Sequence, residues 1–468
     1  MKKLLDHRPL VVLILLALLA PHLARAQIGD TYGFGSRTAS LGGAGVAWGF
    51  EGFAAYSNPA ALSLMGDKRL NLSWGLIHMT PQMTPIKNVV VENTFTSDQL
   101  RVADVDTSYH VTFGQEFGFS YVLFPNPYRI AVGVTAFLPI SQLAILDSGE
   151  TFVPEYVLYR SQTQRPQVEL GASIAPNDHL SFGAGLHFGT ALSSNATVFL
   201  QTDPTKSSSM RLAASVETRA SPYFGVFFAP GNNFKSATTQ DNETTAPYTL
   251  GAVFRFPLEN SFTTTVNSGA RALGNLAALD FNFGATSVMY YDPMSLEVGG
   301  TIRYHKANRL YWQLDYQYWS HFKSPAISIA TPTTSTCQGD SCGVTFSSSL
   351  NPSYQVQNIL VPRLGNEINW DHTSLRFGYS YHASIFKSLP TGEGNYLDPP
   401  KHMFNVGYGI KYRHFLSFDT PCGVDFNASY DQLVTQTISK SSGDDIGAPG
   451  YQAGGKIFGG GVSLTLAF

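Results

Sequence analysis

The feature that most constrains this chain is a period-two alternation of apolar residues with polar or small ones, recurring through most of the sequence to the last residue. Successive side chains of a β-strand point to opposite faces, so each alternating segment predicts a strand with one apolar face. In Ser374–His382, Phe377 and Tyr379 share one face and Arg376 lies on the other. Asp315 opposes the apolar face of its own segment in the same way. Apolar outer faces with polar or small inner faces are typical of a transmembrane β-barrel.

Composition separates this interpretation from a soluble β-sandwich, in which the same apolar faces would form a core. Charged residues make up 13% of the chain, against about 25% in ordinary soluble domains. A sandwich of this length would carry charges on its outer faces, whereas the faces opposite the apolar ones hold mostly Gly, Ser, Thr, Gln and Asn. The net charge is -3 and no run of Lys or Arg occurs, so no nucleic-acid partner is expected.

Fifteen segments show the alternation. Bacterial single-chain barrels have an even number of strands, so we expect an all-β, antiparallel barrel of fourteen, and Leu279–Val288 is the weakest candidate. The last strand ends on Phe468, which resembles the signal that outer-membrane barrels present to the barrel assembly machinery. The candidate segments are Leu70–Met79, Ser108–Phe124, Tyr128–Pro139, Val168–Ala175, His179–Ala191, Met210–Ala229, Tyr248–Pro257, Leu279–Val288, Ser295–Tyr304, Arg309–Ser320, Leu360–Trp370, Ser374–Ala383, Met403–Arg413, Val424–Leu433 and Lys456–Phe468.

The N-terminus predicts export from the cytoplasm. Basic residues up to Arg8 precede the apolar run Leu10–Ala20, and Ala24-Arg25-Ala26 fits a signal-peptidase site. The apolar run is shorter than the about 20 residues of a membrane-spanning helix, which disfavours the alternative of a retained anchor. We therefore expect residues 1–26 to be a signal peptide and residues 68–468 to form the barrel. Its surroundings would be the lipid and lipopolysaccharide of a Gram-negative outer membrane.

Residues 27–67 lack sustained alternation. A run of mostly small residues at 39–47 is followed by Phe53–Leu62, where Asn58-Pro59 favours a turn and Pro59 can open a short helix. A compact segment of about 40 residues with little charge can fill a barrel lumen as a plug. The alternative is a disordered leader, which the apolar content of Leu41–Leu64 disfavours.

Four motifs resemble the FadL/TodX family of outer-membrane transporters of hydrophobic compounds: Asn58-Pro59-Ala60, Trp319-Ser320-His321-Phe322, Arg376–Tyr381 and the terminal Leu466-Ala467-Phe468. The resemblance implies a fourteen-stranded barrel whose lumen holds an N-terminal plug called the hatch. It also implies passive uptake of fatty acids or aromatic hydrocarbons, released sideways into the bilayer at a kinked third strand. Asn-Pro-Ala also occurs in related barrels, so a structural or interaction barrel serving a secretion system or surface contact is the alternative.

The third strand would be Tyr128–Pro139, and Gly133 is our candidate for the kink because Gly weakens strand pairing and tolerates bends. The alternative role of Gly133 is that of a small residue facing the lumen. Arg376, Lys411 and Arg413 fall on inward faces. These cations would suit a ligand carboxylate, but salt bridges within the lumen, with partners such as Asp315, are the favoured interpretation.

No catalytic or cofactor pattern accompanies the strands. The sequence contains no Gly-x-Ser-x-Gly or His-Glu-x-x-His, and no phosphate-binding glycine loop follows a strand, so we expect neither an enzyme nor a cofactor. Cys337 and Cys342 are close enough in sequence to close a small loop disulfide in an oxidising compartment. A metal site is disfavoured because no third and fourth ligands flank them.

Overall fold

The computed structural model describes residues 33–48, 51–64, 70–93, 100–125, 128–140, 152–159, 165–201, 209–231, 246–272, 277–305, 308–322, 328–329, 335–337, 354–392, 394–412 and 420–468. Within these ranges the helices are α1 (Ser36–Ser40), α2 (Ala54–Ser57) and two 3-10 helices, Pro59–Leu64 and Trp319–His321. None of the helices in the described ranges is both long and apolar enough to span a membrane.

Strands make up most of the described chain. They are β1 (Leu70–Met83), β2 (Ile86–Asn93), β3 (Leu100–Val105), β4 (Thr112–Phe124), β5 (Arg129–Pro139), β6 (Gln167–Ala175), β7 (Leu180–Gln201), β8 (Ser209–Phe228), β9 (Tyr248–Arg255), β10 (Leu258–Ala272), β11 (Ala277–Asp292), β12 (Met294–His305), β13 (Asn308–Tyr318), β14 (Ser328–Ile329), β15 (Ser335–Cys337), β16 (Ile359–Asn369), β17 (Thr373–His382), β18 (Lys401–Tyr412), β19 (Cys422–Ser439) and β20 (Gly450–Ala467).

Fourteen strands close into an antiparallel barrel, which confirms the predicted fold class and strand number. They are β1, β4 to β9, β12, β13 and β16 to β20, each paired with its neighbour in this order. The ring closes between β20 and β1. At this seam the Phe468 N–H donates to the Leu70 carbonyl oxygen at 2.8 Å.

The other strands extend beyond the barrel wall. β2 and β3 form a hairpin, β10 pairs with β11 and, in parallel, with the far part of β7, and β11 also pairs with β14 and β15. Leu279–Val288 lies in β11, so the weakest of the fifteen candidates is the one that is not a wall strand. The alternation did not predict β2, β3, β10 or the short β14 and β15; in β10, polar runs such as Thr263–Thr265 interrupt the apolar period.

The two faces of the wall differ as the alternation predicts. Phe182 and Leu364 point outward and are 46% and 51% exposed. On the inward face, Ser181, Arg376 and Asp431 are buried. Lipid is the only solvent in which a continuous ring of exposed apolar side chains is stable, so the outer face lies in a membrane.

Aromatic residues encircle the end of the barrel at which β1 begins and β20 ends. This end has short connections such as residues 176–179 and 370–372, and short turns of outer-membrane barrels face the periplasm. Exposed aromatic side chains there form the kind of interfacial girdle that anchors barrels in bilayers. They are Phe124, Tyr128, Tyr304, Trp370, Tyr412 and Phe468.

Candidate functional site

The N-terminal segment, residues 33–48 and 51–64, is buried throughout except at Gly43, which is partly exposed. Its helix α1 packs on β17 to β20, whereas α2 and the following 3-10 helix pack on β4 to β8. On a third side, the Val46 N–H donates to Gln313 Oε1 of β13 at 3.0 Å. One short segment therefore contacts the inward faces of strands all round the barrel.

Glycines on the inward face of the wall make room for this segment. A Cβ on Gly183 would lie 2.3 Å from the Ala60 nitrogen, and one on Gly225 would lie 2.2 Å from Asn58 Oδ1. Side chains at these positions would collide with the N-terminal segment, so the fit depends on glycine. The glycines with a Cβ position within 3.0 Å of the segment include Gly118, Gly133, Gly183, Gly225, Gly251, Gly299, Gly365, Gly378 and Gly407.

Asn58, Pro59 and Ala60 occupy the point at which the N-terminal segment passes β8. Asn58 Nδ2 donates to the carbonyl oxygens of Val46 (2.9 Å) and Val226 (3.1 Å). Its Oδ1 accepts the Ala60 N–H at 3.0 Å, so this fully buried amide is satisfied on both sides. A 3-10 helix begins at Pro59. The motif thus joins two parts of the segment to each other and to the wall.

A buried charge network holds α1 against the wall. Glu367 of β16 accepts hydrogen bonds from Arg37 Nη2, Tyr311 Oη and Arg376 Nε, each at 2.7 Å. Arg376 also donates to Asp425 Oδ1 at 2.5 Å. Two guanidinium groups and two carboxylates therefore neutralise one another away from water, which is the arrangement that buried charges require.

Arg376 thus makes salt bridges within the lumen, but its partners differ from the Asp315 named in the sequence analysis. Asp315 Oδ2 instead accepts a hydrogen bond from Arg363 Nε at 2.6 Å, and Arg363 Nη1 donates to the Gly42 carbonyl oxygen at 3.0 Å. Lys411 lies near the periplasmic end of β18. Arg413 lies outside the described residues.

Replacing Glu367 with alanine is expected to lower the free energy of unfolding by about 3–5 kcal/mol, because Arg37 and Arg376 would remain buried without their shared carboxylate. Urea unfolding in lipid vesicles measures the change. The control is Glu217→Ala, since the Glu217 carboxylate is exposed and 4.0 Å from Arg219; there the change should stay below about 1 kcal/mol. Equal losses in the two variants would contradict a role for the network.

A second buried feature, here called the apolar cluster, lies between the N-terminal segment and the outer loops. Its aromatic, aliphatic and thioether side chains are nearly fully buried and pack on one another. Among its few polar groups, the Tyr156 hydroxyl is hydrogen-bonded: Tyr156 Oη donates to the Gly454 carbonyl oxygen at 3.1 Å. The cluster comprises Phe34, Phe53, Tyr56, Ile77, Met79, Met83, Ile86, Val89, Phe137, Tyr156, Tyr159, Leu397, Met403, Leu433, Ile438, Tyr451, Ala453 and Ile457.

A polar cavity lies beside the N-terminal segment, against β12, β13 and β16. Thr38 and Ser57 of the segment line one side, and Glu297, Asp315 and Arg363 line the other. An apolar solute in this cavity would cover charged and polar groups without bonding to them, which is unfavourable. This cavity therefore does not suit an apolar solute as an extension of the apolar cluster.

Gly133 pairs with Ser120 of β4 and Gly171 of β6, and the register continues past it on both sides. The irregularity between β4 and β5 lies at Val122–Phe124 instead. A Cβ on Gly133 would lie 2.6 Å from Leu62 Cδ2. Contact with the N-terminal segment therefore accounts for the missing side chain, and the kink stays a prediction.

Trp319, Ser320 and Phe322 lie at the outer end of β13, in and just after a 3-10 helix. The Trp319 and Phe322 rings pack on Tyr291, with centroids 6.1 Å and 6.2 Å away. The Ser320 N–H donates to Asn358 Oδ1 at 3.0 Å. These contacts tie β13 to neighbouring outer segments in a second apolar cluster beneath the loops.

Some predicted features lie outside the described residues, namely the signal peptide, Cys342 and the side chain of Cys337. The proposed disulfide therefore stays a prediction. Glu367 and Arg363 were not among the residues predicted to matter in the lumen. Both occupy inward positions of Leu360–Trp370, on the face opposite the exposed Leu364. The alternation of this segment could therefore have identified them as charged residues that face the lumen.

Comparison with known proteins identifies the fold. The sequence matches no protein-family model and no curated protein. A FadL homologue from Pseudomonas aeruginosa is 14% identical, with 96% of this chain and 98% of that chain covered and a TM-score of 0.52. The toluene transporter TodX from P. putida is 15% identical, with 94% and 99% covered and a TM-score of 0.51. The resemblance is confirmed at the level of the fold, which, with the apolar outer face, places the chain in a Gram-negative outer membrane.

Proposed function

We propose that this chain, which has the fold of the FadL and TodX channels, passively admits hydrophobic small molecules such as long-chain fatty acids or aromatic hydrocarbons. The observation that carries the proposal is the apolar cluster, which extends from Tyr156 in the outer loops to Phe34 and Phe53 on the N-terminal segment. An apolar solute needs no catalysis to cross the lipopolysaccharide layer. It needs a dry path whose sites bind weakly enough to release it.

The N-terminal segment, in this proposal, is a plug that blocks the axial route to the periplasm. Its support comes from the contacts all round the wall and from the glycines that fit it closely, such as Gly183 and Gly225. The polar cavity beside it, with Glu297, Asp315 and Arg363, does not suit an apolar solute. A solute in the apolar cluster would then have to leave through the wall.

We place the exit for lateral diffusion near Gly133 on β5. Two observations support this location. Phe137, a member of the apolar cluster, lies on the same inward face of β5 as Gly133. It is four residues nearer the outer end of the strand. Beside Gly133 the wall carries no bulky inward side chain, because its paired neighbours are Ser120 and Gly171. No bulky side chain of the wall would have to move for a solute to reach the strands there, and Leu62 of the N-terminal segment, which packs on Gly133, is the side chain that must shift.

A bulky side chain introduced into the apolar cluster tests the proposed uptake of hydrophobic molecules. Ala453 of β20 is fully buried within it, and Ala453→Phe should lower the uptake rate of a fluorescent long-chain fatty acid roughly tenfold, equivalent to about 1.4 kcal/mol. The matched control is Ala428→Phe, because Ala428 faces outward from β19, away from β5 and β6; its uptake should equal that of the unmodified chain. Heat-modified migration on gels verifies that both barrels fold.

Uptake into vesicles with the unmodified chain must exceed uptake into protein-free vesicles. Rates equal to those of empty vesicles for fatty acids, alkanes and aromatic compounds would overturn the proposal. They would favour the alternative of a structural or interaction barrel. An equal loss of uptake in the Ala453 and Ala428 variants would show that the apolar cluster is not part of the uptake path.

A further inference from the structure

Three outer segments meet over the outer end of the apolar cluster, at residues 152–159, 394–398 and 446–454. The Glu155 N–H donates to the Asn395 carbonyl oxygen at 3.1 Å, and the Leu397 N–H donates to the Glu155 carbonyl oxygen at 2.8 Å. The Gly454 N–H donates to Tyr156 Oη at 2.9 Å. We call these three segments together the outer gate.

The side chain of Asn395 is the point at which the three segments join. Its Nδ2 donates to the carbonyl oxygens of Phe152 (2.5 Å) and Ile446 (2.9 Å). Its Oδ1 accepts a hydrogen bond from Tyr451 Oη at 2.6 Å. The residue is 0% exposed, so water does not compete for these bonds. Both amide protons and the amide oxygen are used, and each bond crosses to another segment.

The gate covers the apolar cluster directly. Tyr156 and Tyr159 come from its first segment, Leu397 from its second and Tyr451 from its third, and all four belong to the cluster. A molecule that approaches from outside must separate these segments before it reaches Phe53 or Phe34. Separation would break the bonds of Asn395 and leave polar groups in an apolar setting until water enters.

We propose that Asn395 is a positioning residue that holds the outer gate closed, and that gate opening limits how fast hydrophobic molecules enter and leave the apolar cluster. This inference rests on the proposed function. Asn395 need not touch the solute in this role. Weakening its bonds therefore raises the association rate and the dissociation rate together and leaves the equilibrium affinity nearly unchanged.

Two other bonds between outer segments are more exposed, whereas those between Tyr156 and Gly454 are buried like the bonds of Asn395. Lys440 Nζ donates to the Pro390 carbonyl oxygen at 3.1 Å, and Ser441 Oγ donates to the Thr391 carbonyl oxygen at 3.0 Å. The Ser441 bond is exposed and that of Lys440 is partly buried, so water can replace such bonds at lower cost. The gate is assigned to Asn395 because its side chain is enclosed and also bonds to both of the other segments.

The test replaces Asn395 with aspartate, which keeps the shape but turns two donated hydrogen bonds into carboxylate–carbonyl contacts. The probe is N-phenyl-1-naphthylamine, a neutral fluorophore, bound to the full chain in nanodiscs and followed by energy transfer from tryptophan. N395D should raise both rates about tenfold, with the dissociation constant changed less than about twofold. Tyr451→Phe removes only one of the bonds and should give a smaller rise in both rates.

The control is N93D, because Asn93 Nδ2 makes the same kind of bond to the Asp444 carbonyl oxygen at 3.1 Å but is exposed; its rates should match those of the unmodified chain. Hydrogen exchange at the Glu155 and Leu397 amides measures the gate without any ligand. Exchange there should be faster in N395D. The melting temperature of each variant separates gate opening from general destabilisation.

The outcomes distinguish the gate from the proposed function. If the unmodified chain binds the probe and N395D leaves both rates unchanged, the gate is overturned while the function stands. A weaker affinity with an unchanged association rate would assign Asn395 to binding, which also overturns the gate. If the unmodified chain binds no probe, the proposed function fails, and unchanged amide exchange in N395D and Tyr451→Phe would reject the gate as well.

Discussion

Deletion of residues 33–64 is expected to raise the ion conductance of the barrel from background to that of an open aqueous pore. The segment contacts strands all round the wall, and its removal exposes inward charges such as Glu367, Arg363 and Arg376 to the lumen. A fourteen-stranded ring lined by charges fills with water once nothing occupies it. Single-channel recording in planar bilayers measures the change.

A graded variant separates displacement of the N-terminal segment from damage to the barrel. Gly225→Val should raise the conductance partially and intermittently, because its Cβ would lie 2.2 Å from Asn58 Oδ1. The control is Gly423→Val on β19, where a Cβ would meet nothing within 4 Å; its conductance should stay at background. Background conductance in both the deletion and the Gly225 variant, with folded barrels, would show that the segment is not the plug.

A disulfide across β5 and β6 should abolish uptake if solutes leave near Gly133. Val134 and Leu170 are cross-strand partners beside the pair Gly133 and Gly171. Their side chains point outward, since the inward positions of these strands alternate with them. Paired residues of antiparallel strands have the Cα spacing that a disulfide spans. Val134→Cys with Leu170→Cys should therefore stop fatty-acid uptake when oxidised, and a reductant should restore it.

The matched control joins two strands elsewhere in the wall. Phe377 and Val406 are outward cross-strand partners on β17 and β18, and their oxidised double-cysteine variant should take up fatty acid at the unmodified rate. Full uptake by the oxidised Val134 and Leu170 variant would exclude an exit between β5 and β6. Loss of uptake in both oxidised variants would indicate a general stiffening of the barrel instead.

The wall strands could be predicted from the sequence because alternation is a property of each strand alone. Side chains of a strand point to opposite faces whatever strand lies beside it. The pattern therefore placed Phe377 outward and Arg376 and Asp315 inward before any pairing was known, and the structure agrees. It also ranked Leu279–Val288 last among the candidates, which is the segment that lies outside the wall.

The partners of the inward residues could not be predicted in this way. Arg376 meets Glu367 because its strand, β17, pairs with β16. It meets Asp425 because β18 lies between β17 and β19, and the long Arg376 side chain reaches across β18 to β19. Asp315 meets Arg363 because β13 pairs with β16 across an intervening stretch of chain. Such partners depend on the register and order of strands, which alternation leaves undetermined.

The sequence by itself determined a membrane barrel, the faces of its strands and an N-terminal segment of different character, since each follows from local geometry and solvent preference. Only the tertiary structure decided which glycines fit that segment and where the apolar cluster lies. It also decided how Asn395 joins the three segments of the outer gate. Each of these depends on contacts between residues far apart in the chain. Such contacts form only when closure of the sheet brings those residues together.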